Sequence, residues 1–510
     1  SDKDSDKDSA TDKANEAAYA AVLSYQQHLD YLRKGSIYPG QPVQPPQDDS
    51  SPAIQQWKQR AVDSMLRFAS TFEADPRSAQ VWLSAGEYLY SLMQYPRTVE
   101  VLQAMVAATT AADINLKKSA YGLMAQSHFN LNDFQQAEDN FLNQRNLIAP
   151  NTPEYQQVTE KLATSIYKKS EATIESGDKA AAITQLLTIK QLAPNSPIRI
   201  TAQYDAASLL LDQQRWPEAI VEWQELQTLY PNHELAVEYP RKLAFAYEKN
   251  GDWQQAATTY LSLVDTDTDA DIKQEALFLA ATMFEKDQHY ALAADNFTAY
   301  AERYKQPFDR YMEALYGAAI NHERLGEAVE RNKWLVQIIQ ADARAGDKAS
   351  SRSRWLAAWS NATFGDFYAQ RFNATTLSLP IVKSIPQKNT WLQQSVEYYQ
   401  LAADYGILEF VTMSSYKIGV LYRQFASDLR NSPVPQNLSA DNQLTYAAIL
   451  EEQAAPFDQL AIDVHQLNLE RAWAGQFNRW INKSFAQMRI LIPERFKKDE
   501  RIVSYGDGLR

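Results

Sequence analysis

The sequence predicts an all-α protein, a solenoid of stacked helical hairpins, and three observations carry that prediction. An aromatic residue followed three positions later by Ala and seven positions later by a second aromatic recurs every 37 residues: Trp216, Ala219, Trp223; Trp253, Ala256, Tyr260; Tyr290, Ala293, Phe297. A fixed interval of that size marks a repeat array. From residue 53 onward nearly every segment has its apolar residues at helical spacing. At 510 residues the chain also exceeds what one hydrophobic core supports, which favours building by repetition.

Residues 1–13 open with SDKDSDKDSATD, a charged tract with too little apolar surface to offset ordering, and are expected to be an unstructured tether. Residues 14–34 carry the helical spacing of Tyr19, Val22, Leu23, Gln26, Leu29 and Leu32. Four prolines then fall within eight residues (Pro39, Pro42, Pro45, Pro46), so 14–52 reads as one helix and an extended Pro-rich linker. Residues 53–72 form an amphipathic helix that stops before Asp75 and Pro76.

The span 53–345 holds about seven units. Each has one small residue in its first helix (Gly86, Ala125, Ser170, Ala207, Ala244, Ala281, Ala319) and a second one turn into its second helix (Thr98, Ala137, Ala182, Ala219, Ala256, Ala293, then Arg331). Small side chains let helix axes approach to about 8 Å, so these positions set the packing distance. The bulky residues Trp82, Tyr95, Phe134, Phe141, Trp216, Trp223, Trp253, Tyr260, Tyr290 and Phe297 are expected to fill the interior. Residues 346–510 are a divergent helical region and C-terminal cap. Helices are expected over 353–372, 391–405, 410–429, 444–473 (kinked at Pro456) and 477–491, with a loop over 373–388 interrupted by Pro380 and Pro386.

These residues resemble the tetratricopeptide repeat (TPR) family over 79–339, with the four intervals from Ala182 at 37 or 38 residues in place of the family's usual 34, Lys179 where the third aromatic is due, and Arg331 where the seventh Ala is due. The resemblance implies a right-handed α-solenoid whose first helices line a concave groove. Its groove positions fall on Tyr204, Arg241, Phe245, Lys249, Phe278, Lys286, Tyr316 and Arg324, with Glu248, Glu285 and Glu323 among them. Rings flanked by both signs of charge suit an extended peptide or a partner helix. The C-terminal block around Glu451–Phe457, Lys483 and Ile492–Phe496 is similar to the ends of periplasmic TPR proteins associated with Ton/Tol-type motors and gliding-like machinery.

Composition narrows the remaining choices. The net charge of −13 argues against nucleic acid and against broad attraction to anionic membranes. Two basic stretches, 331–354 and 476–510, read as solvated helix faces. No cysteine is present, which suits an oxidising compartment such as a periplasm. The first residue is Ser1 in place of Met, from which a removed leader and an acylated lipoprotein cysteine upstream of the tether are expected, that lipid anchor being the membrane contact anticipated.

Chemistry is sparse. The six histidines fall in different segments, and no phosphate loop, nucleophile elbow or HExxH occurs, so an enzyme and a cofactor are not expected. Asp265, Asp267, Asp269 and Asp271 alternate as in a calcium loop, although Ala270 and Ala276 stand where Gly and Glu are due. That run reads first as a solvated loop capping the next helix and second as a weak metal site. The expected function is a non-enzymatic periplasmic or outer-membrane scaffold holding a protein partner, in a Ton/Tol-type motor complex. An outer-membrane assembly or exopolysaccharide-secretion lipoprotein is one alternative, and a glycan or peptidoglycan binder stacking sugars on Trp355, Trp359 and Trp391 is another.

Overall fold

The computed structural model describes residues 2–35, 45–108 and 113–497, with side chains from residue 13 onward within those spans. The described residues contain 22 α-helices and no strand. They divide into two compact units, Ser1–Asn250 and Gly251–Arg510.

The first unit holds α1 (Asp2–Lys34), α2 (Pro52–Thr71), α3 (Ser78–Ser91), α4 (Tyr95–Ala108), α5 (Ile114–Asn130), α6 (Phe134–Asn146), α7 (Pro153–Glu175), α8 (Lys179–Leu192), α9 (Ile198–Asp212), α10 (Trp216–Leu229) and α11 (Tyr239–Asn250). The second holds α12 (Trp253–Thr266), α13 (Ala270–Lys286), α14 (Tyr290–Arg303), α15 (Phe308–Arg324), α16 (Ala328–Ala345), α17 (Ser351–Ala374), α18 (Ile381–Ala403), α19 (Leu408–Arg430), α20 (Ala440–Trp473), α21 (Arg479–Leu491) and α22 (Pro493–Phe496). Within each unit, consecutive helices pack against one another as antiparallel-style hairpins, the arrangement that repeated helix pairs need to bury their apolar stripes.

Why the helices start where they do is visible in the turns. Nine residues after each first-helix small residue, a second helix begins, at Tyr95, Phe134, Lys179, Trp216, Trp253, Tyr290 and Ala328. Two residues before each start the backbone is left-handed, at Met93, Asn132, Gly177, Gln214, Gly251, Gln288 and Gly326. In six of these turns the next residue's N–H reaches back to a carbonyl of the first helix, as Arg215 N–H does to Leu210 O at 2.9 Å and His289 N–H to Phe284 O at 2.9 Å. This satisfies orphan carbonyls of the helix end and reverses the chain in a fixed geometry.

The small positions are all buried except Arg331, which is half-buried. A Cβ on Gly86 would come within 2.6 Å of Leu102 Cδ2, so any side chain there would force Leu102 to shift for α3 to lie this close to α4. The bulky residues divide into two classes. Trp82, Phe141, Trp223, Tyr260 and Phe297 are core, whereas Tyr95, Phe134, Trp216, Trp253 and Tyr290 are half-buried. The latter open the second helices at the hairpin turn, where the ring covers the turn and its outer edge meets solvent, so they are not interior.

Two further expectations change, and a third falls largely outside the described residues. Helix α1 is drawn from Asp2, so the tract expected to be an unstructured tether forms the first turns of a helix; extending a nucleated helix gains one hydrogen bond per residue fixed. Residues 36–44 of the Pro-rich linker lie outside the described residues. Its far end is pinned: Asp49 accepts from Arg33 at 2.8 Å and from the buried Lys58 at 3.1 Å, and Lys58 also donates to Ser91 at 3.0 Å. Pro386 lies inside α18, and the loop expected over 373–388 shrinks to 375–380. The buried Lys388 holds this start of the helix, donating to Thr375 O at 2.6 Å and pairing with Asp428 at 2.6 Å, while Leu392, Val396 and Tyr399 enter the core. That packing offsets the roughly 3 kcal/mol an interior proline costs a helix.

Candidate protein-binding site

Five residues after the small residue of the first helix stand Asn130, Asp212, Lys249, Lys286 and Arg324, three of which are residues the sequence places in the groove. The structure gives most of them a partner on the preceding hairpin. Lys286 Nζ lies 4.5 Å from the centroid of the Trp253 ring, and the Arg324 guanidinium lies 5.1 Å from that of Tyr290. Lys249 covers Phe245 at 5.1 Å, and Phe245 meets Trp216 edge-on at 6.1 Å. The third unit lacks the aromatic, and there Lys179 bonds Asp212 at 3.2 Å. The Trp216–Phe245, Trp253–Lys286, Tyr290–Arg324 and Lys179–Asp212 contacts each join the opening of one second helix to the next first helix, whereas Lys249 lies over Phe245 within α11. Such exposed cation–ring contacts contribute about 0.5–1 kcal/mol apiece.

Of the sequence-predicted groove residues, Tyr204, Arg241, Phe245 and Lys249 lie in the first unit, and Phe278, Lys286, Tyr316 and Arg324 in the second. Phe278 is a core ring, 5.4 Å from both Phe297 and Tyr300 and covered by Arg310 at 4.3 Å. Tyr204 is half-buried edge-on against Trp223 at 5.1 Å, and Tyr316 likewise against Trp359 at 5.1 Å. Burial holds both phenols above their ordinary pKa. Arg241 is half-buried, 3.7 Å from Glu238. Phe245, Lys249, Lys286 and Arg324 are the exposed members, and Arg324 is further paired with Glu285 at 2.6 Å.

A better-formed site lies in the first unit. A cavity of about 230 Å³ opens among α3, α5, α6 and α7, lined by Tyr90, Gln126, Phe129, Asn130, Phe141, Lys161 and Thr164. The Tyr90 hydroxyl donates to Gln126 Oε1 at 3.2 Å and accepts from Asn130 Nδ2 at 3.3 Å, which fixes the polar wall. Phe129 is set edge-on against Phe134 at 5.3 Å, and Tyr90 lies 5.5 Å from Tyr95. Lys161 is exposed, and no carboxylate pairs with it among the described residues. Apolar walls, a small amide-bearing polar surface and one uncompensated cation suit a side chain of a bound peptide, with the cation drawing an anionic group. The sequence held this signal. Gln126, Phe129 and Asn130 stand one, four and five residues after Ala125, the offsets that select Phe245, Glu248 and Lys249 after Ala244, although the groove positions named from the sequence begin only at Tyr204.

The structure places two further candidates from the sequence. Asp269 caps α13, accepting from Asp271 N–H at 2.8 Å and Ile272 N–H at 3.4 Å, and Asp267 accepts from Asp269 N–H at 2.9 Å. These bonds make the run containing Asp265, Asp267, Asp269 and Asp271 the helix-capping loop that is its first reading, and among the described residues no group of three His, Cys, Asp or Glu is placed to hold a metal ion. The tryptophans considered as sugar platforms have neighbours on their rings: Trp355 meets Phe410 and Arg352, Trp359 meets Tyr316, and Trp391 stacks on Tyr368 under Arg371.

A family model described as tetratricopeptide repeat matches residues 242–269, from within α11 to the residue that caps α13. No curated protein matches the chain. Among solved structures, the C-terminal part of a TPR repeat-containing protein from Cytophaga hutchinsonii is 15% identical, with a TM-score of 0.26 over 52% of this chain and 99% of that one. The TPR2AB domain of yeast Sti1 in its pHSP90 complex is 13% identical, with a TM-score of 0.28 over 52% and 93%. A tetratricopeptide repeat protein from Parabacteroides merdae is 12% identical, with a TM-score of 0.22 over 59% and 99%. Identities and TM-scores this low carry no functional information.

Proposed function

We propose, from the premise that the chain is a tetratricopeptide-repeat protein, that it is a non-enzymatic scaffold of the bacterial cell envelope which holds a protein partner on the first helices of its hairpins. The observation that carries this reading is the cavity around Tyr90, Asn130 and Lys161, where rings, amides and an unpaired cation face one opening. Rigid stacked helices present that opening preformed, so the partner bears most of the ordering cost. The absence of cysteine from all 510 residues fits folding in an oxidising compartment. A Ton/Tol-type motor component is the partner class we favour, on the likeness of the C-terminal block, and an outer-membrane assembly or secretion complex is the competing one.

A photo-crosslinking residue placed at Asn130 in living cells, followed by identification of the captured protein, tests the reading. Capture of an envelope protein, lost on Lys161→Glu while the helical circular dichroism signal is kept, is the expected result. Capture of cytoplasmic proteins alone, or capture unchanged by Lys161→Glu, would remove the envelope assignment or the site respectively.

A further inference from the structure

The far end of the second unit carries a surface that the scaffold reading leaves unused. Between Glu470 and Glu494 the sequence holds Arg471, Arg479, Lys483 and Arg489 and no acidic residue, in a chain whose net charge is −13. The same stretch contains three of the most exposed large apolar side chains among the described residues: Trp473 at 62%, Phe477 at 67% and Ile490 at 60%.

The exposure is built into the fold. Gly475, at φ +85°, ends α20, and Asn478 caps α21 by accepting from Trp480 N–H at 3.0 Å and Ile481 N–H at 3.1 Å. Asn478 Nδ2 also donates to Thr412 Oγ1 at 2.8 Å, which ties the turn to α19. Ile481, Ser484 and Met488 bury the inner face of α21 and leave Arg479, Lys483 and Arg489 outside. Arg479 pairs with Glu409 at 3.1 Å, and Lys483 lies over Trp480 at 4.7 Å. Among the described residues no carboxylate pairs with Lys483 or Arg489.

We propose that this face docks on an anionic lipid bilayer, with Trp473 and Phe477 entering the headgroup region and the α21 cations meeting lipid phosphates. The 13 residues of α21 span roughly 20 Å, with exposed rings at one end, an exposed aliphatic at the other and cations between. A flat fluid interface meets all of these at once without matching a shape, and it is the environment in which Trp and Lys or Arg are favoured together. No described helix is long and apolar enough to cross a membrane, so the contact is with the surface. The local sign is opposite to that of the whole chain, which orients the molecule with this end toward the membrane.

The test is flotation of the purified protein with vesicles of phosphatidylcholine, with and without phosphatidylglycerol. The expected result is flotation on the anionic vesicles alone, weakened at least about tenfold by Lys483→Glu with Arg489→Glu and comparably by Trp473→Ala with Phe477→Ala. All four positions are exposed, and circular dichroism checks that each variant stays helical. Failure of the unsubstituted protein to float, or flotation unchanged in both double variants, overturns the proposal. Retention on polyglutamate beads that equals vesicle binding and ignores the ring substitutions also overturns it, in favour of an acidic protein surface. None of these outcomes depends on the Asn130 site.

Discussion

Lys179 Nζ lies 3.2 Å from Asp212 Oδ2, in the place that Trp253 and Lys286 occupy two hairpins later. Position 179 departs from the repeat's aromatic pattern, and position 212 departs with it, from a cation to an anion. The contact between hairpins is therefore kept while its chemistry changes from cation on ring to cation on carboxylate. Both side chains are largely exposed, so a double-mutant cycle with Lys179→Glu and Asp212→Lys should give a coupling of only about 0.2–1 kcal/mol, with the doubly reversed protein close to the original in thermal midpoint. Additive losses in the cycle would show that the pair does not act as a unit.

The left-handed turn residues offer a stabilisation. Met93, Gln214 and Gln288 have φ of 58°, 58° and 62° where other turns of the series use glycine. A side chain there costs roughly 1–2 kcal/mol, against about 0.5–1 kcal/mol of extra chain entropy for glycine. Gln214→Gly and Gln288→Gly should each raise the thermal midpoint slightly, and a drop on both would mean that these side chains contribute contacts outweighing the strain.

Trp223 separates packing from hydrogen bonding. The ring is fully buried among Tyr204, Tyr239 and Leu226, and its Nε1–H has no hydrogen-bond partner among the described residues. Trp223→Ala should cost about 3–5 kcal/mol, as a large core truncation does. Trp223→Phe should cost much less, because it removes an unsatisfied donor along with part of the ring. Denaturant melts followed by circular dichroism compare the two, and equal losses would point to an unrecognised bond at Nε1.

Acid should loosen the second unit through His465. The ring is fully buried, with Nδ1 3.2 Å from Ser484 Oγ, the Tyr416 ring 5.9 Å away and Gly419 against Nε2. Burial first, then the charge of Arg423, pushes its pKa from 6.5 down to about 4. The unfolded chain takes up a proton below pH 6.5 that the folded chain refuses until about pH 4, so stability is full above this window and falls as pH drops through it. The whole window corresponds to about 3 kcal/mol. His465→Gln should flatten the dependence between pH 7 and 5 in thermal melts, whereas parallel curves for the two proteins would exclude this histidine as the source.

The hairpin register was legible in the sequence because bulk and periodicity are local properties. Each predicted second helix from Tyr95 to Tyr290 begins at the residue the pattern names, and Lys179 begins one as well. The small residues lie buried where helices cross. The proline at 386 was misread for a reason equally physical. A local rule stops a helix there, while Thr375 and Asp428, which hold Lys388, and the core that takes Tyr399 anchor the same helix from outside it.

By itself the sequence determined the class, the interval and the turns, since an apolar face returning at a near-constant spacing leaves a chain few ways to bury it. Which side chains face solvent was decided only in three dimensions. Phe278 and Phe245 stand at neighbouring groove positions of successive units, yet one is enclosed by Phe297, Tyr300 and Arg310, and the other is left at the surface. The cavity at Tyr90, Asn130 and Lys161 likewise exists only because three hairpins bring together residues up to 74 positions apart (164 − 90). Burial is a property of neighbours, and neighbours from other hairpins are set by packing.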